Sequence, residues 1–173
     1  WETIGAFMPE WRSEAGQWLV ARAEEAQQEN NPGEAVRLYE KAGAILPENL
    51  RYRERTGELQ ERGGEFAAAR TTYKSILQMY PENASVAYRL HALSAGEPGV
   101  AEYASFWEDL VDDFPQAAVP RLYYGMVWEE RGDVRGALEA YAKVVGDTPV
   151  GAEAELRRGM LLTKEGAYEE GVA

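Results

Sequence analysis

Residues 65–81 read EFAAARTTYKSILQMYP, a helical apolar stripe followed by a proline. Ala69, Tyr73 and Ile76 have the spacing i, i+4, i+7, which places them on one face of a helix. Pro81 lacks an N–H and disfavours the helical conformation of the residue before it, so we expect the helix to end there.

The same pattern occurs four times, and its prolines are 34 residues apart at Pro47, Pro81, Pro115 and Pro149. The other three stripes are Ala35, Tyr39, Ala42; Tyr103, Trp107, Leu110; and Ala137, Tyr141, Val144. A fixed period of this length is typical of a helical repeat array. We call these four sets the helix-B stripes, because each lies in the second of the two helices, A and B, that we expect in one repeat.

Turn residues separate the stripes from the helices that precede them. They are Asn31-Pro32-Gly33, Gly63-Gly64, Pro98-Gly99, Gly132-Asp133 and Gly166. Asn49 and Asn83 follow the first two prolines by two residues and are expected to cap the next helix.

The chain resembles the tetratricopeptide repeat family over residues 16–173. The fourth repeat shows the resemblance best, with small Gly125 and aromatic Trp128 in helix A, Gly132-Asp133 in the turn, and its helix-B stripe and proline after it. The resemblance implies an all-α fold, a right-handed superhelical solenoid of antiparallel helix pairs, A and B.

The resemblance also defines the repeats, with boundaries at 16–49, 50–83, 84–117, 118–151 and an incomplete 152–173 that stops as its helix B starts after Gly166. Residues 1–15 are interpreted as the end of a preceding repeat or a cap, with a helix from Pro9 to about Gln28. We expect the chain to be a fragment of a longer array.

Several residues depart from the family pattern. Arg53, Arg121 and Glu155 stand where a large apolar residue is usual in helix A. In the third repeat His91 replaces a small residue and Tyr103 replaces an alanine. The turn of that repeat, Glu97-Pro98-Gly99, is slightly displaced.

Composition narrows the classes of partner. The net charge of −12 disfavours nucleic acids and anionic membranes, which are bound through Lys and Arg, and it would attract a basic partner. The absence of cysteine excludes disulfides and zinc–cysteine sites. No apolar run approaches the roughly 20 residues of a membrane span. Cytoplasm and bacterial periplasm are both compatible, so localisation stays open.

Catalytic and metal-binding candidates are few. His91 is the one histidine and falls at a helix-packing position, which favours a structural role. An acidic cluster lies opposite a helix-B stripe and lacks a calcium loop, which favours a solvated face; it consists of Glu108, Asp109, Asp112 and Asp113. We expect no enzyme activity, no cofactor and no metal.

In the family, five helix-A positions line the concave face and bind partners. The positions in the first two repeats are charged, mainly acidic, and those in the last repeats are apolar. They include Gln17, Val20, Glu24, Gln27 and Gln28; Arg51, Glu54, Glu58, Glu61 and Arg62; Tyr88; Leu122, Met126, Glu129 and Glu130; and Leu156 and Met160.

We call Tyr88, Leu122, Met126, Leu156 and Met160 the apolar band, and we expect it to be a continuous exposed surface. The hypothesis is a non-catalytic scaffold whose groove binds a partner peptide or helix. The band would anchor apolar residues of the partner, and Glu54, Glu58, Glu61, Glu129 and Glu130 would attract its basic residues.

Other interpretations stay open. A helix beyond the chain would cover the apolar band as ordinary core, or the array would be a structural spacer that self-associates end to end. A further interpretation is that the array is an auxiliary region of a larger enzyme or of a bacterial envelope or secretion machine. The acidic tails of heat-shock chaperones are excluded, because the family's basic clamp positions hold Val20, Glu24, Glu54 and Glu58.

Overall fold

The computed structural model describes residues 9–94 and 100–172, and every regular element within them is an α-helix. The predictions for residues 1–8 and for the Glu97-Pro98-Gly99 turn lie outside the described residues. The helices are α1 (Pro9–Gln28), α2 (Pro32–Ile45), α3 (Leu50–Arg62), α4 (Phe66–Met79), α5 (Ala84–Ser94), α6 (Val100–Asp113), α7 (Ala118–Glu130), α8 (Val134–Ala142) and α9 (Pro149–Val172). The predicted start of α1 at Pro9 and its end at Gln28 are confirmed.

The chain divides into two compact units, with the boundary between Ile76 and Leu77 inside α4. In unit 1, α2 packs against both α1 and α3. In unit 2, α7 contacts α5, α6, α8 and α9. Short turns join successive helices, so the pairs within each unit run antiparallel, as predicted. Helix A forms even in the repeats that carry Arg53, Arg121 and Glu155.

The four helix-B stripes form the core of the repeats, as their spacing predicts. All twelve residues are buried, and Ala35, Ala69 and Ala137 have no exposed surface at all. An alanine at this point lets the two helices of a repeat approach closely, because no long side chain separates them. Burying the large apolar side chains of the stripes removes their surface from water, which stabilises the fold.

The small residue of helix A faces the aromatic residue of the same repeat's helix-B stripe. A Cβ added to Gly57 would overlap the ring of Tyr73, and one added to Gly125 would overlap the ring of Tyr141. Both rings are buried, so they have little room to move away. Glycine is therefore required at these two positions by packing.

Turns and caps between the helices follow the predicted residues in part. Gly64 and Gly132 have φ values of 78° and 76°, which favour glycine because a side chain is strained there. Asn83 caps α5 by accepting a hydrogen bond from the Val86 N–H at 3.1 Å. Asn49 precedes α3, but its side chain makes no cap bond.

Helix α7 is capped from another repeat. Its own N-cap residue is Ala117, which has no side-chain acceptor. Glu82 supplies one, because its carboxylate accepts hydrogen bonds from the N–H groups of Ala118 at 2.7 Å and Val119 at 3.4 Å. A carboxylate at a helix N-terminus also interacts favourably with the helix dipole.

The fourth repeat ends differently from the prediction. The first three helix-B segments end two residues before their prolines, at Ile45, Met79 and Asp113. Helix α8 ends earlier, at Ala142, and Pro149 is the first residue of α9 instead of a turn residue. Proline suits this position because the first N–H groups of a helix have no intrahelical partner.

The predicted turn at Gly166 is wrong, because α9 continues through this residue to Val172. The turn at Gly132 is followed by Asp133, whose carboxylate accepts a hydrogen bond from the Gly136 N–H and caps α8. Ala167 follows Gly166 and has no oxygen with which to cap a new helix. A glycine alone costs a helix only about 1 kcal/mol, which does not end it.

The third repeat has His91 at the glycine position of helix A and Tyr103 at the alanine position of its helix-B stripe, and the two side chains contact each other. The Tyr103 hydroxyl lies 2.7 Å from Nδ1 of His91, and Nε2 of His91 lies 3.4 Å from a carboxylate oxygen of Glu130. A neutral imidazole with its proton on Nε2 accepts from Tyr103 and directs its own N–H at Glu130. The two departures at His91 and Tyr103 therefore compensate each other, which supports the structural role predicted for the histidine.

We predict that Gly125→Ala destabilises unit 2 by about 1–3 kcal/mol, because the added methyl overlaps the Tyr141 ring. Gly159→Ala is the matched control, since nothing lies near the Cβ that it adds to α9. The control should stabilise by about 0.5–1 kcal/mol through helix propensity. Urea unfolding followed by circular dichroism measures both, and equal stability of the two variants would contradict the packing requirement.

We also predict a pH-dependent contribution from His91. Burial lowers its pKa below the usual 6.5, and Arg157 acts in the same direction, while Glu130 partly opposes them. The unfolded state therefore takes up a proton first as the pH falls. The stabilising contribution of the neutral histidine is present above pH 6.5 and is lost as the pH falls from 6.5 through the folded pKa.

The measurement is the free energy of unfolding of the wild type minus that of His91→Gln, followed from neutral to mildly acidic pH. Glutamine keeps an acceptor for Tyr103 but does not titrate, so the difference isolates the histidine. The wild type should lose stability relative to the variant over this range. A difference that stays constant would mean that the folded pKa is not lowered.

Candidate interaction surfaces

A hydrogen bond recurs between the two helices of a repeat. The helix-B tyrosine donates its hydroxyl to a glutamate near the end of helix A, in Tyr73–Glu61 at 2.8 Å and in Tyr141–Glu129 at 2.7 Å. Burial, together with the adjacent Glu129, raises the pKa of Tyr141, so its hydroxyl stays a donor. These glutamates are thereby part of the packing of the repeat.

Glu129 also belongs to an ion-pair network that reaches α9. Arg157 donates to Glu129 at 3.2 Å and to Glu153 at 2.7 Å. The three side chains are about one-third exposed, so the network is partly shielded from solvent. Arg157 was not among the predicted site residues. Its i, i+4 spacing from Glu153 is the one sequence signal that points to this pair.

The predicted acidic groove residues already have intramolecular interactions. Glu54, Glu58 and Glu61 belong to unit 1, where Glu58 pairs with Arg55 at 2.7 Å and Glu54 is half-buried. Glu129 and Glu130 belong to unit 2 and lie beside Arg157 and His91. These pairings neutralise part of the negative charge that was expected to attract basic residues of a partner.

The apolar band is only partly exposed, which corrects the expectation of a continuous exposed surface. Tyr88, Met160 and Leu156 are 66%, 64% and 59% exposed, whereas Met126 and Leu122 are 7% and 4% exposed. The last two belong to α7, which contacts four other helices of unit 2 and has few free faces. Packing within the unit covers them.

A cleft of about 840 Å³ lies beside Met160 in unit 2. Its walls come from the end of α7, the following turn, the start of α8 and α9: Glu129, Gly132, Val134, Met160, Leu161, Lys164 and Glu165. The wall surface is mostly apolar. Met160 is exposed and also lines this concave, mostly apolar cleft, as ligand sites often do.

A second cleft, of about 480 Å³, lies in unit 1, and we call it the arginine cleft. It contains five of the predicted groove positions, but its charge is not mainly acidic, because three arginines face one glutamate. Its lining residues are Val20, Glu24, Gln27, Tyr39, Asn49, Arg51, Tyr52, Arg55 and Arg62.

Other candidate chemistry is weak. Among the side chains that the structure describes, no group of three or more His, Asp or Glu is placed to hold a metal ion. The acidic residues Glu108, Asp109, Asp112 and Asp113 are all exposed. Within the described residues, no helix has the length and apolar character needed to cross a membrane.

Solved structures with the same fold include several repeat proteins. The chain is similar to MamA (residues 41 to the end) from Desulfovibrio magneticus RS-1, with 15% identity, a TM-score of 0.56, and coverage of 91% of this chain and 89% of that one. For a tetratricopeptide repeat protein from Parabacteroides merdae the identity is 16% and the TM-score 0.60, with coverage of 91% and 62%. A thermophilic tetratricopeptide repeat protein of Thermus thermophilus has 18% identity and a TM-score of 0.52, with coverage of 90% of this chain and 86% of that one.

These likenesses show the fold, and a comparison with curated proteins gives no match. The sequence profile of the tetratricopeptide repeat matches residues 20–84 and 129–173, which is more than half of the chain. The matched ranges contain three of the four helix-B stripes and exclude the atypical third repeat. The chain therefore belongs to the tetratricopeptide repeat family.

Proposed function

We propose that the protein is a non-catalytic interaction scaffold that binds a peptide or helix of a partner protein on unit 2. The observation that carries the proposal is the exposure of Tyr88, Leu156 and Met160 on helix-A segments of unit 2, where the helix-B stripes are buried. Large apolar side chains that stay exposed together with a concave site usually mark a binding surface.

The anchoring residues differ from those of the full apolar band. Leu156 and Met160 are one helical turn apart on α9, so they lie on the same face, and Met160 also lines the apolar cleft. A methionine adapts its shape to an incoming apolar side chain. Leu122 and Met126 are buried core residues and do not contact the partner in this proposal.

Basic residues of the partner would complement the acidic side chains around the cleft. Glu129 and Glu165 line it, against a single Lys164. Glu129 is shared with Tyr141 and Arg157, so its contribution to affinity is smaller than that of a free carboxylate. Charge at the rim of an interface acts mainly on association rate and specificity. Glu54, Glu58 and Glu61 lie in unit 1, so in this proposal they contribute only to the overall negative charge of the protein.

We predict that Leu156→Glu with Met160→Glu weakens peptide binding to unit 2 while the protein stays folded, because both side chains are exposed. The ligands are peptides selected on the wild-type protein from a displayed random library. Their affinities are then measured by fluorescence anisotropy. We expect at least a tenfold loss in the double variant, roughly what removing two anchor side chains costs.

The control for added charge is Leu162→Glu, which places one carboxylate on the other side of α9 at a residue that is also exposed. It should leave the affinities unchanged, and circular dichroism should be the same for all three proteins. Selected peptides that bind the double variant as well as the wild type would contradict the proposal. Failure to select any peptide, together with concentration-dependent sedimentation of the wild type, would favour the self-associating spacer instead.

A further inference from the structure

Two helix faces take no part in the proposed function, and each is a row of four residues with the spacing i, i+4, i+7, i+11. The row on α1, which we call the tryptophan face, consists of Trp11, Ala15, Trp18 and Arg22. The row on α9, which we call the glycine face, consists of Glu155, Gly159, Leu162 and Gly166. Residues at this spacing lie along one side of a helix, and each row is about 16 Å long.

The tryptophan face leaves large apolar side chains in contact with water. Trp18 is 62% exposed and Trp11 is 49% exposed, although α1 buries Leu19 and Ala23 beside them. Tryptophan gains much contact area when it is covered, and it is enriched at protein interfaces. Two exposed tryptophans seven residues apart on one helix therefore mark an interaction surface.

The glycine face has open positions where two other repeats are filled. Gly159 follows Gly125 by 34 residues and stands at the same helix-A position as Gly57 and Gly125, where an added Cβ would overlap a tyrosine ring. Nothing lies within 4 Å of the Cβ position at Gly159 or at Gly166. Glycine inside a helix costs about 1 kcal/mol relative to alanine. An aromatic ring from outside would occupy these positions as the helix-B tyrosines do in the other repeats.

The two faces complement each other when the helices run antiparallel. In one register Trp18 lies opposite Gly159. Because the two rows have equal spacing, the same register places Trp11 opposite Gly166. Each large ring thus meets a residue without a side chain, which is the way in which closely packed helices interdigitate.

The other two positions of the rows also match in this register. Ala15 lies opposite Leu162, so a small residue again meets a large one. Arg22 lies opposite Glu155, so opposite charges meet. Glu155 forms no ion pair or hydrogen bond among the residues that the structure describes. Arg22 donates to Glu25 through one nitrogen at 2.7 Å, and its guanidinium group keeps other donors for a second carboxylate.

Other pairings of the faces match less well. With the helices parallel, Trp18 would meet Leu162, and Arg22 would meet Gly166 instead of a carboxylate. Two tryptophan faces contain neither a glycine nor a carboxylate, and two glycine faces contain no aromatic ring. The complementary pair is therefore one face of each kind, and a second copy of this chain supplies the missing one.

We propose that copies of this protein associate head to tail, with the tryptophan face of one molecule on the glycine face of another. A contact between unlike faces lets further copies add until a ring closes or a filament grows. The net charge of −12 opposes association, and physiological salt screens this repulsion beyond about 8 Å. The inference goes beyond the proposed function, because no residue of the two faces anchors the peptide.

The test is sedimentation velocity of the full chain at physiological salt over a range of protein concentrations. The sedimentation coefficient of the wild type should rise with concentration. Trp11→Ala with Trp18→Ala should raise the concentration at which half of the chains are associated at least tenfold, because both large rings of the contact are lost. Gly159→Gln should do the same by filling the open position, and the monomer should stay folded because nothing lies near the added Cβ.

Mixing these two proteins isolates the contact between unlike faces. The double tryptophan variant keeps its glycine face, and Gly159→Gln keeps its tryptophan face. Neither should associate alone, whereas an equimolar mixture should form a 1:1 complex. Arg22→Glu and Glu155→Arg should each weaken association several-fold, and a chain with both changes should recover it, because the pair of opposite charges is restored.

The matched control is Phe66→Ala, which removes an aromatic side chain that is 47% exposed on α4 and should change association by less than about twofold. A sedimentation coefficient independent of concentration would overturn the inference. So would an equal loss in Phe66→Ala, self-association that persists in Gly159→Gln, or a mixture of the two variants that stays monomeric. The double tryptophan variant should bind the selected peptides as tightly as the wild type, so failure of this inference and failure of the proposed function are distinguishable.

Discussion

Close approach of two helices over a residue without a side chain is the constraint on which each ordinary repeat depends. Gly57 and Gly125 let helix A lie against the ring of the tyrosine in helix B, and that ring is then buried and held by its hydroxyl. Once the ring is fixed, the alanine one turn before it and the apolar residue after it are buried as well. Helix pairing, core composition and the position of Glu61 and Glu129 follow from this one contact.

The features that depend on local spacing could be predicted from the sequence. The helix-B stripes are periodic, and all of their residues are buried. The turns at Gly64 and Gly132 require a positive φ that favours glycine, so they too are visible in the sequence. Both are properties of residues close together in the chain, and a period of 34 residues repeats the information four times.

Features that depend on contacts between repeats could not be predicted. Burial of Leu122 and Met126 results from four helices around α7, which is a tertiary property. The cap that Glu82 provides joins residues 36 positions apart. Helix α9 continues through Gly166, where the glycine alone predicted a turn. The charge of the arginine cleft depends on which side chains of α3 line it. The groove positions taken from the sequence are mainly acidic, so they did not predict a cleft lined by three arginines.

The exchange in the third repeat has a consequence for how such a chain can change by mutation. His91 and Tyr103 satisfy each other, and each replaces a smaller residue of the ordinary repeat. An imidazole facing an alanine would leave Nδ1 of a half-buried ring without its donor, and a tyrosine facing a glycine would leave a buried hydroxyl without its acceptor, at a cost of up to about 1–3 kcal/mol each. The two residues form an epistatic pair. A path of single substitutions from an ordinary repeat to this one passes through an intermediate that is less stable than either end, and the same barrier preserves the pair once it is in place.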